Sequence, residues 1–381
     1  MRYNWKADSP FALQVPNYSL KPTCEQFLQR LFDGVPRIQI NHSYLKGDKT
    51  MDWTKLPKVE LHVHLDCSLS YEVVSKIDPS ITLEEYRANF IAPAKCVDLA
   101  DFLACAPISY SLMQTEEHLR LVTLDLFEQL RRDNVLYAEI RFAPLLHTER
   151  GLSAREVVAS VEAATAQAVR STGIEGRIIL CTCHYYSAAQ SLETVQLVEE
   201  FRGTYVAGFD IAADTTGNAI DAHIAAFQYA RDKGIPCTAH AGEARGPDNV
   251  WETLQHFVPS RLGHGVRSIE DPALLEYLRQ HQIHLEVCPT CNVQTNVFDT
   301  YADHPINKLY RAGISVGVNT DDRTLTNITL SEEYTKLHET FGWDTEDFFH
   351  CNRNALNAAF VPDDVRNKLL ARLADGYQHG F

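Results

Sequence analysis

The sequence predicts an α/β protein built as a (β/α)8 barrel, a TIM barrel, with extra helices over the mouth and at the C-terminus. Three observations predict it. Eight short apolar runs alternate with longer helical stretches between residues 58 and 318. Such alternation implies parallel strands joined by crossover helices, and eight units suit a closed barrel better than a doubly wound sheet, which usually has fewer strands. Four of the runs also end in histidines or carboxylates, and a barrel gathers its strand C-termini at one mouth.

The elements follow in order. Residues 1–54 are broken by Pro10, Pro16, Pro22 and Pro36, with one helical piece near residues 24–32. They read as an N-terminal extension packed on a barrel domain of residues 55–381. The expected strands are 59–64, 135–142, 177–184, 206–211, 236–240, 261–264, 284–288 and 315–318. The expected helices are 116–132, 154–171, 192–201, 220–233, 250–257, 272–281 and 305–311. Gly208, Gly234 and Gly313 read as glycines just before strands, where they can cap the preceding helix. The connection from 66 to 116 is long for one crossover and reads as a helical excursion over the mouth. Residues 345–373 read as helices on the outside of the barrel.

Composition narrows the function. With 45% hydrophobic and 22% charged residues the chain reads as an ordinary soluble globular protein. Its formal net charge of −15 argues against a nucleic-acid backbone or an anionic membrane as partner. It does not exclude one nucleotide or nucleoside in a pocket. No apolar run is long enough to span a bilayer, and the start lacks a signal-peptide core. Ten scattered cysteines suit reduced thiols and a cytoplasmic location better than a disulfide framework. Cys288-Pro-Thr-Cys291 has no second such pair, so it reads as two packed thiols rather than a zinc knuckle.

The chemistry gathers at four strand ends. The first ends in His62-Val-His64, the fifth in His240-Ala-Gly-Glu243, the sixth in Leu262-Gly-His264-Gly265 and the eighth in Asn319-Thr-Asp321-Asp322. On a strand His62 and His64 face the same side. Three histidines and a carboxylate suffice for a divalent ion with a place left for water. His62, His64, His240 and Asp321 are the expected ligands, for one Zn²⁺ per chain. Glu243, His264 and Asp322 are then free for proton transfer and orientation. Each has a plainer reading: Glu243 and Asp322 as helix caps, His264 as a core histidine.

Together with Asp66 and Cys288-Pro-x-x-Asn292, these motifs resemble the adenosine deaminases of the amidohydrolase superfamily, in order and spacing, over roughly residues 55–360. The resemblance implies zinc-dependent hydrolytic deamination at purine C6. It implies that Glu243 protonates ring N1, that His264 takes the proton from the zinc water or holds the hydroxide by charge, and that Asp322 hydrogen-bonds and orients that hydroxide. It gives Asp66 a contact to the ribose 5′ hydroxyl, which points to a nucleoside over a free base. Three departures stand out. Cys67 replaces the usual glycine after Asp66. Ala213 replaces the glycine whose amide meets the purine, a swap that costs nothing if φ is negative there. Arg323 replaces the proline after the Asp-Asp pair, where it can pair with a carboxylate or reach the ribose side. The expected substrate is adenosine or a close derivative. Alternatives are adenine, a 5′-modified adenosine such as 5′-methylthioadenosine, or an N6-substituted AMP, for which Arg245 and Arg323 are the candidate cations. Rivals from other classes are a non-catalytic zinc-binding signalling protein and a metal-dependent amide or ester hydrolase.

Overall fold

A computed structural model describes residues 51–217 and 219–379. The N-terminal extension expected over residues 1–54 lies, up to residue 50, outside the described residues.

Eight parallel strands form the barrel: β1 (Lys58–His64), β2 (Val135–Phe142), β3 (Glu175–Cys183), β4 (Val206–Ala212), β5 (His240–Ala241), β6 (Arg261–His264), β7 (His284–Val287) and β8 (Val316–Val318). They pair in sequence order as two four-stranded arcs, β1 to β4 and β5 to β8. Two seams close the arcs into a barrel. At one, the Phe209 N–H donates to Pro236 O at 3.0 Å and the Thr238 N–H returns to Phe209 O at 3.1 Å. At the other, the His64 N–H donates to Asp321 O at 2.9 Å and the Asp321 N–H to His62 O at 3.0 Å. The second seam therefore runs through the first and last motifs.

The fifth strand is the main departure from expectation. Its ladder covers His240–Ala241 rather than 236–240, with an isolated bridge from Phe209 to Cys237. Pro236 has no N–H to donate, so the stretch begins without a regular ladder. Gly208 is a second correction. It lies inside β4, not before it, and an added Cβ would come within 2.6 Å of the Phe360 ring. It is a packing glycine rather than a cap. Gly234 and Gly313, with φ of 64° and 78°, do adopt the left-handed backbone that ends helices.

Helices fill the crossovers. Glu116–Arg132 and Ala154–Thr172 each start on a hydroxyl that accepts a first-turn N–H, from Thr115 and Ser153. The excursion after β1 folds as four short helices, Tyr71–Ile77, Leu83–Asn89, Leu99–Leu103 and Ala106–Ser111. The tail forms Thr345–Ala358 and Asp363–His379. Ala355, Leu356, Leu369 and Leu373 of the tail pack on Val59, Leu61, Leu136 and Tyr137, which closes an apolar layer outside β1 and β2. No helix among the described residues is long and apolar enough to cross a membrane.

Candidate active site

Period-two alternation in β1 sends Val59 and Leu61 to the outer helices and leaves Glu60, His62 and His64 for the barrel interior. His62 is fully buried. Its Nδ1 lies 2.9 Å from Glu286 Oε2 on β7, and its Nε2 lies 3.1 Å from Asp321 Oδ1. His64 Nε2 is 3.4 Å from the same Asp321 oxygen and 3.3 Å from His240 Nε2. His240 turns its Nδ1 to Asp210 Oδ2 on β4, at 3.2 Å. An added Cβ at Gly263 would stand 2.9 Å from the His62 ring and 3.2 Å from that of His240, so only glycine lets the two rings approach over β6.

The donor atoms of His62, His240, His264 and Asp321 lie within 4.8 Å of one another, and all four residues are buried. His264 thus stands as close to the cluster as His64 does, although the sequence puts only His64 among the ligands. His62 Nε2 is buried and points at Asp321 Oδ1, 3.1 Å away, so the two donor atoms already face each other as ligands of one ion would. Carboxylates hold the opposite nitrogens of His62 and His240, which fixes the ring that each presents. The donor set therefore fits a divalent metal of the zinc type, held by imidazoles and one carboxylate.

The carboxylates that anchor the rings belong to a buried ionic network. The Arg141 guanidinium donates to Asp210 Oδ2 at 2.7 Å and to Glu286 Oε2 at 2.6 Å. Arg261 Nε lies 2.7 Å from Glu286 Oε1. Burial alone would raise the Glu286 carboxyl, but Arg141 and Arg261 hold it well below the usual range. Sequence reasoning missed Arg141, Asp210, Arg261 and Glu286 as parts of the site. The signal was there as single charges inside apolar strands, which are costly unless paired.

Around the donors stand the remaining motif residues. Glu243 Oε2 is 3.6 Å from His264 Nε2, and the Asn292 amide donates to Glu243 Oε1 at 3.4 Å. Glu243 caps no helix, because the next begins at Pro247 with Gly246 before it. Burial, then the Asp321 charge, pushes the Glu243 carboxyl up to about 8. Asp322 sits at an N-cap position without a capping side-chain bond. Burial and then Asp321, Asp66 and Glu243 raise it well above a usual carboxylate. Burial holds His264 well below its usual value, so its ring is neutral.

These groups line one cavity. Asp66, Cys67, Ala213 and Asp322 line it, together with the apolar Leu99, Phe102, Leu103 and Leu146. Ala213 has φ of 74°, so the condition for a harmless glycine replacement is not met and its backbone is strained. Arg323 does not line the cavity. It is buried, and its guanidinium lies 3.2 Å from both Glu60 and Asp133. Arg245 is committed to Glu252 at 3.0 Å. Cys288 and Cys291 are both free and buried.

Known proteins resemble this chain in sequence and in fold. The sequence model of the family described as Adenosine deaminase matches residues 57–376. The adenosine deaminase of Clostridium perfringens is 32% identical over 326 residues, covering 84% of this chain and 98% of that protein. The solved adenine deaminase of Arthrobacter aurescens superposes with a TM-score of 0.78 at 25% identity, over 85% of this chain and 99% of that one. An amidohydrolase of Burkholderia ambifaria, solved with bound Zn, gives a TM-score of 0.80 at 24% identity, over 88% and 96%. With most of its length inside the match, and with the barrel and strand-end residues in place, this chain belongs to the adenosine deaminase family of the amidohydrolase superfamily.

Proposed function

We propose that the protein hydrolytically deaminates adenosine or a close adenosine derivative at purine C6, giving the inosine product and ammonia. One observation carries the reading: a protonatable acid, Glu243, is buried in the cavity wall beside a buried histidine–aspartate donor set. A Zn²⁺ held by His62, His64, His240 and Asp321 would polarise the attacking water and lower its pKa toward ~7.

The chain's own residues do the rest. Glu243, kept protonated near neutrality by burial, donates a proton to ring N1 and makes C6 electrophilic. His264, neutral and within 3.7 Å of Asp321 Oδ2, accepts the proton of the attacking water. Asp322 orients that water, and protonation carries the amine away as ammonia. The Ala213 N–H meets the purine edge, and Asp66 meets the sugar.

Two features support a nucleoside over a nucleotide. No lysine or arginine stands among the described residues that line the cavity, whereas phosphate sites commonly use one. Leu99, Phe102, Leu103 and Leu146 in the cavity lining give a 5′-modified adenosine with an apolar substituent the second rank. With its nine described cysteines all free, the protein suits a reducing cytoplasm.

The test offers adenosine, 2′-deoxyadenosine, 5′-methylthioadenosine, adenine and AMP to zinc-loaded enzyme and follows absorbance. Adenosine should be converted fastest and AMP least. Glu243→Gln should keep its zinc and lose kcat by roughly 10²–10⁴-fold. Near-normal turnover by this variant would remove Glu243 as the acid.

A further inference from the structure

The turn Thr320-Asp321-Asp322-Arg323 carries two acids of the site, and both of its ends meet one side chain. That side chain is Glu60 of β1, which is fully buried. Its Oε1 accepts the Thr320 N–H at 2.7 Å and the Thr320 hydroxyl as well. Its Oε2 accepts from Arg323 Nη1 at 3.2 Å. The other arm of the guanidinium, Nη2, donates to Asp133 Oδ2 at 3.2 Å. Asp133 is held in turn by the Leu330 N–H at 2.7 Å and the Ser331 N–H at 3.1 Å. A carboxylate that takes both ends of a four-residue turn fixes the span between them, and bonds to charged groups are the strong ones.

The two acids inside the span are held differently. Asp321 is pinned to β1 by its main-chain bonds to His62 and His64. The Asp322 carbonyl takes the Thr326 N–H and hydroxyl, at 2.8 and 2.7 Å, which tie it to its own short helix Arg323–Thr326. The Asp322 carboxyl meets the Cys67 thiol, a weak donor. Its aim therefore depends on where the turn is set. Asp322 lines the cavity, while Glu60, Asp133 and Arg323 are not among the residues that line it.

We propose that Glu60 and Arg323 are positioning residues for Asp322, and that they clamp both ends of its turn so that its carboxylate meets the attacking water. This rests on the deaminase reading above. A proline at position 323 would restrict the turn through its ring. This chain restricts it through an ion pair, which can be cut from outside the cavity.

The experiment uses the zinc-loaded wild type, Arg323→Met, Thr320→Val, Asp322→Asn and the two double variants that join Asp322→Asn to each of the others. It reads kcat and KM for adenosine, zinc content, and the Kd of two ligands. One ligand is purine riboside hydrated at C6, which carries the added hydroxyl on a tetrahedral carbon, and the other is inosine, which lacks it. Arg323→Met should lower kcat by roughly 10- to 100-fold, with KM, zinc content and inosine affinity near those of wild type. The hydrated riboside should bind more weakly by the same factor. Thr320→Val leaves every charge paired and should act in the same direction, by about 3- to 10-fold. In the Asp322→Asn background neither change should weaken the hydrated riboside further. A full further loss in that background overturns the proposal, because the clamp then does not act through Asp322. So does a normal kcat in Arg323→Met, or a zinc content that falls together with kcat, which would put the clamp on Asp321. If Arg323→Met does not fold, the Thr320→Val pair decides by the same comparison. A wild type that leaves adenosine unchanged and binds neither ligand would instead strike the deaminase reading.

Discussion

Three non-glycine residues at the barrel mouth hold left-handed backbone: Ala213 after β4 (φ 74°), His264 at the end of β6 (61°) and Asp321 after β8 (66°). Each such conformation costs an L-residue roughly 1–2 kcal/mol. At Asp321 the seam bonds to His62 and His64 hold it, and at His264 the side chain gains its place beside Glu243. These are strains kept where geometry matters to function. Ala213 has no such side-chain return, because its methyl makes no polar contact. Ala213→Gly should therefore stabilise the fold by about 1 kcal/mol, despite the larger freedom of glycine in the unfolded chain. The check is the urea midpoint of the zinc-loaded protein at constant m-value. A lower midpoint would mean that the alanine is not strained. No periodicity reports the sign of φ at one residue, so this strain was illegible in the sequence while the identity of the residue was plain.

At the scale of elements, the sequence made the motif-bearing strand ends legible and left their supports hidden. Strands β1, β6 and β8 appear as apolar runs with a functional residue at or just after the end, and the helix Glu116–Arg132 has the bounds expected of it. The supports Asp210, Glu286 and Arg141 sit inside strands that are far apart in the chain. They become partners only when the barrel closes, and nothing local marks which buried charge meets which. The short helices between residues 71 and 111 were likewise invisible as elements, since none is longer than two turns, although the length of the connection announced an excursion. Glu286 is the support with the most to lose. It holds His62 Nδ1 at 2.9 Å and takes charge from Arg141 and Arg261 at 2.6 and 2.7 Å. Glu286→Gln leaves two buried guanidiniums short of a negative charge, a loss of about 3–5 kcal/mol. It also frees the His62 ring, which should weaken zinc binding by roughly 10–100-fold. Competition against a chromophoric chelator measures the second effect, and unchanged zinc affinity in a folded variant would show that the Glu286 contact does not orient His62.

At the scale of the molecule, the barrel is two arcs held by two seams, and the candidate metal donors straddle one of them. His62 and His64 belong to the first arc, and His240 and Asp321 to the second. The seam between β8 and β1 rests on an isolated bridge, Val63 with Asp321, where a regular ladder would have more hydrogen bonds. A metal on these four residues would therefore tie the arcs together as well as serve the chemistry. Binding to the folded state alone adds about 4 kcal/mol when free metal exceeds its Kd a thousandfold. Chelation should accordingly lower the melting midpoint by roughly 5 °C and abolish deamination, and stoichiometric zinc should restore both. Calorimetry of replete, stripped and reconstituted protein decides it. If activity leaves with the metal while the midpoint stays, the ion does not join the two arcs, and the seam stands on its backbone bonds and the Arg141 network.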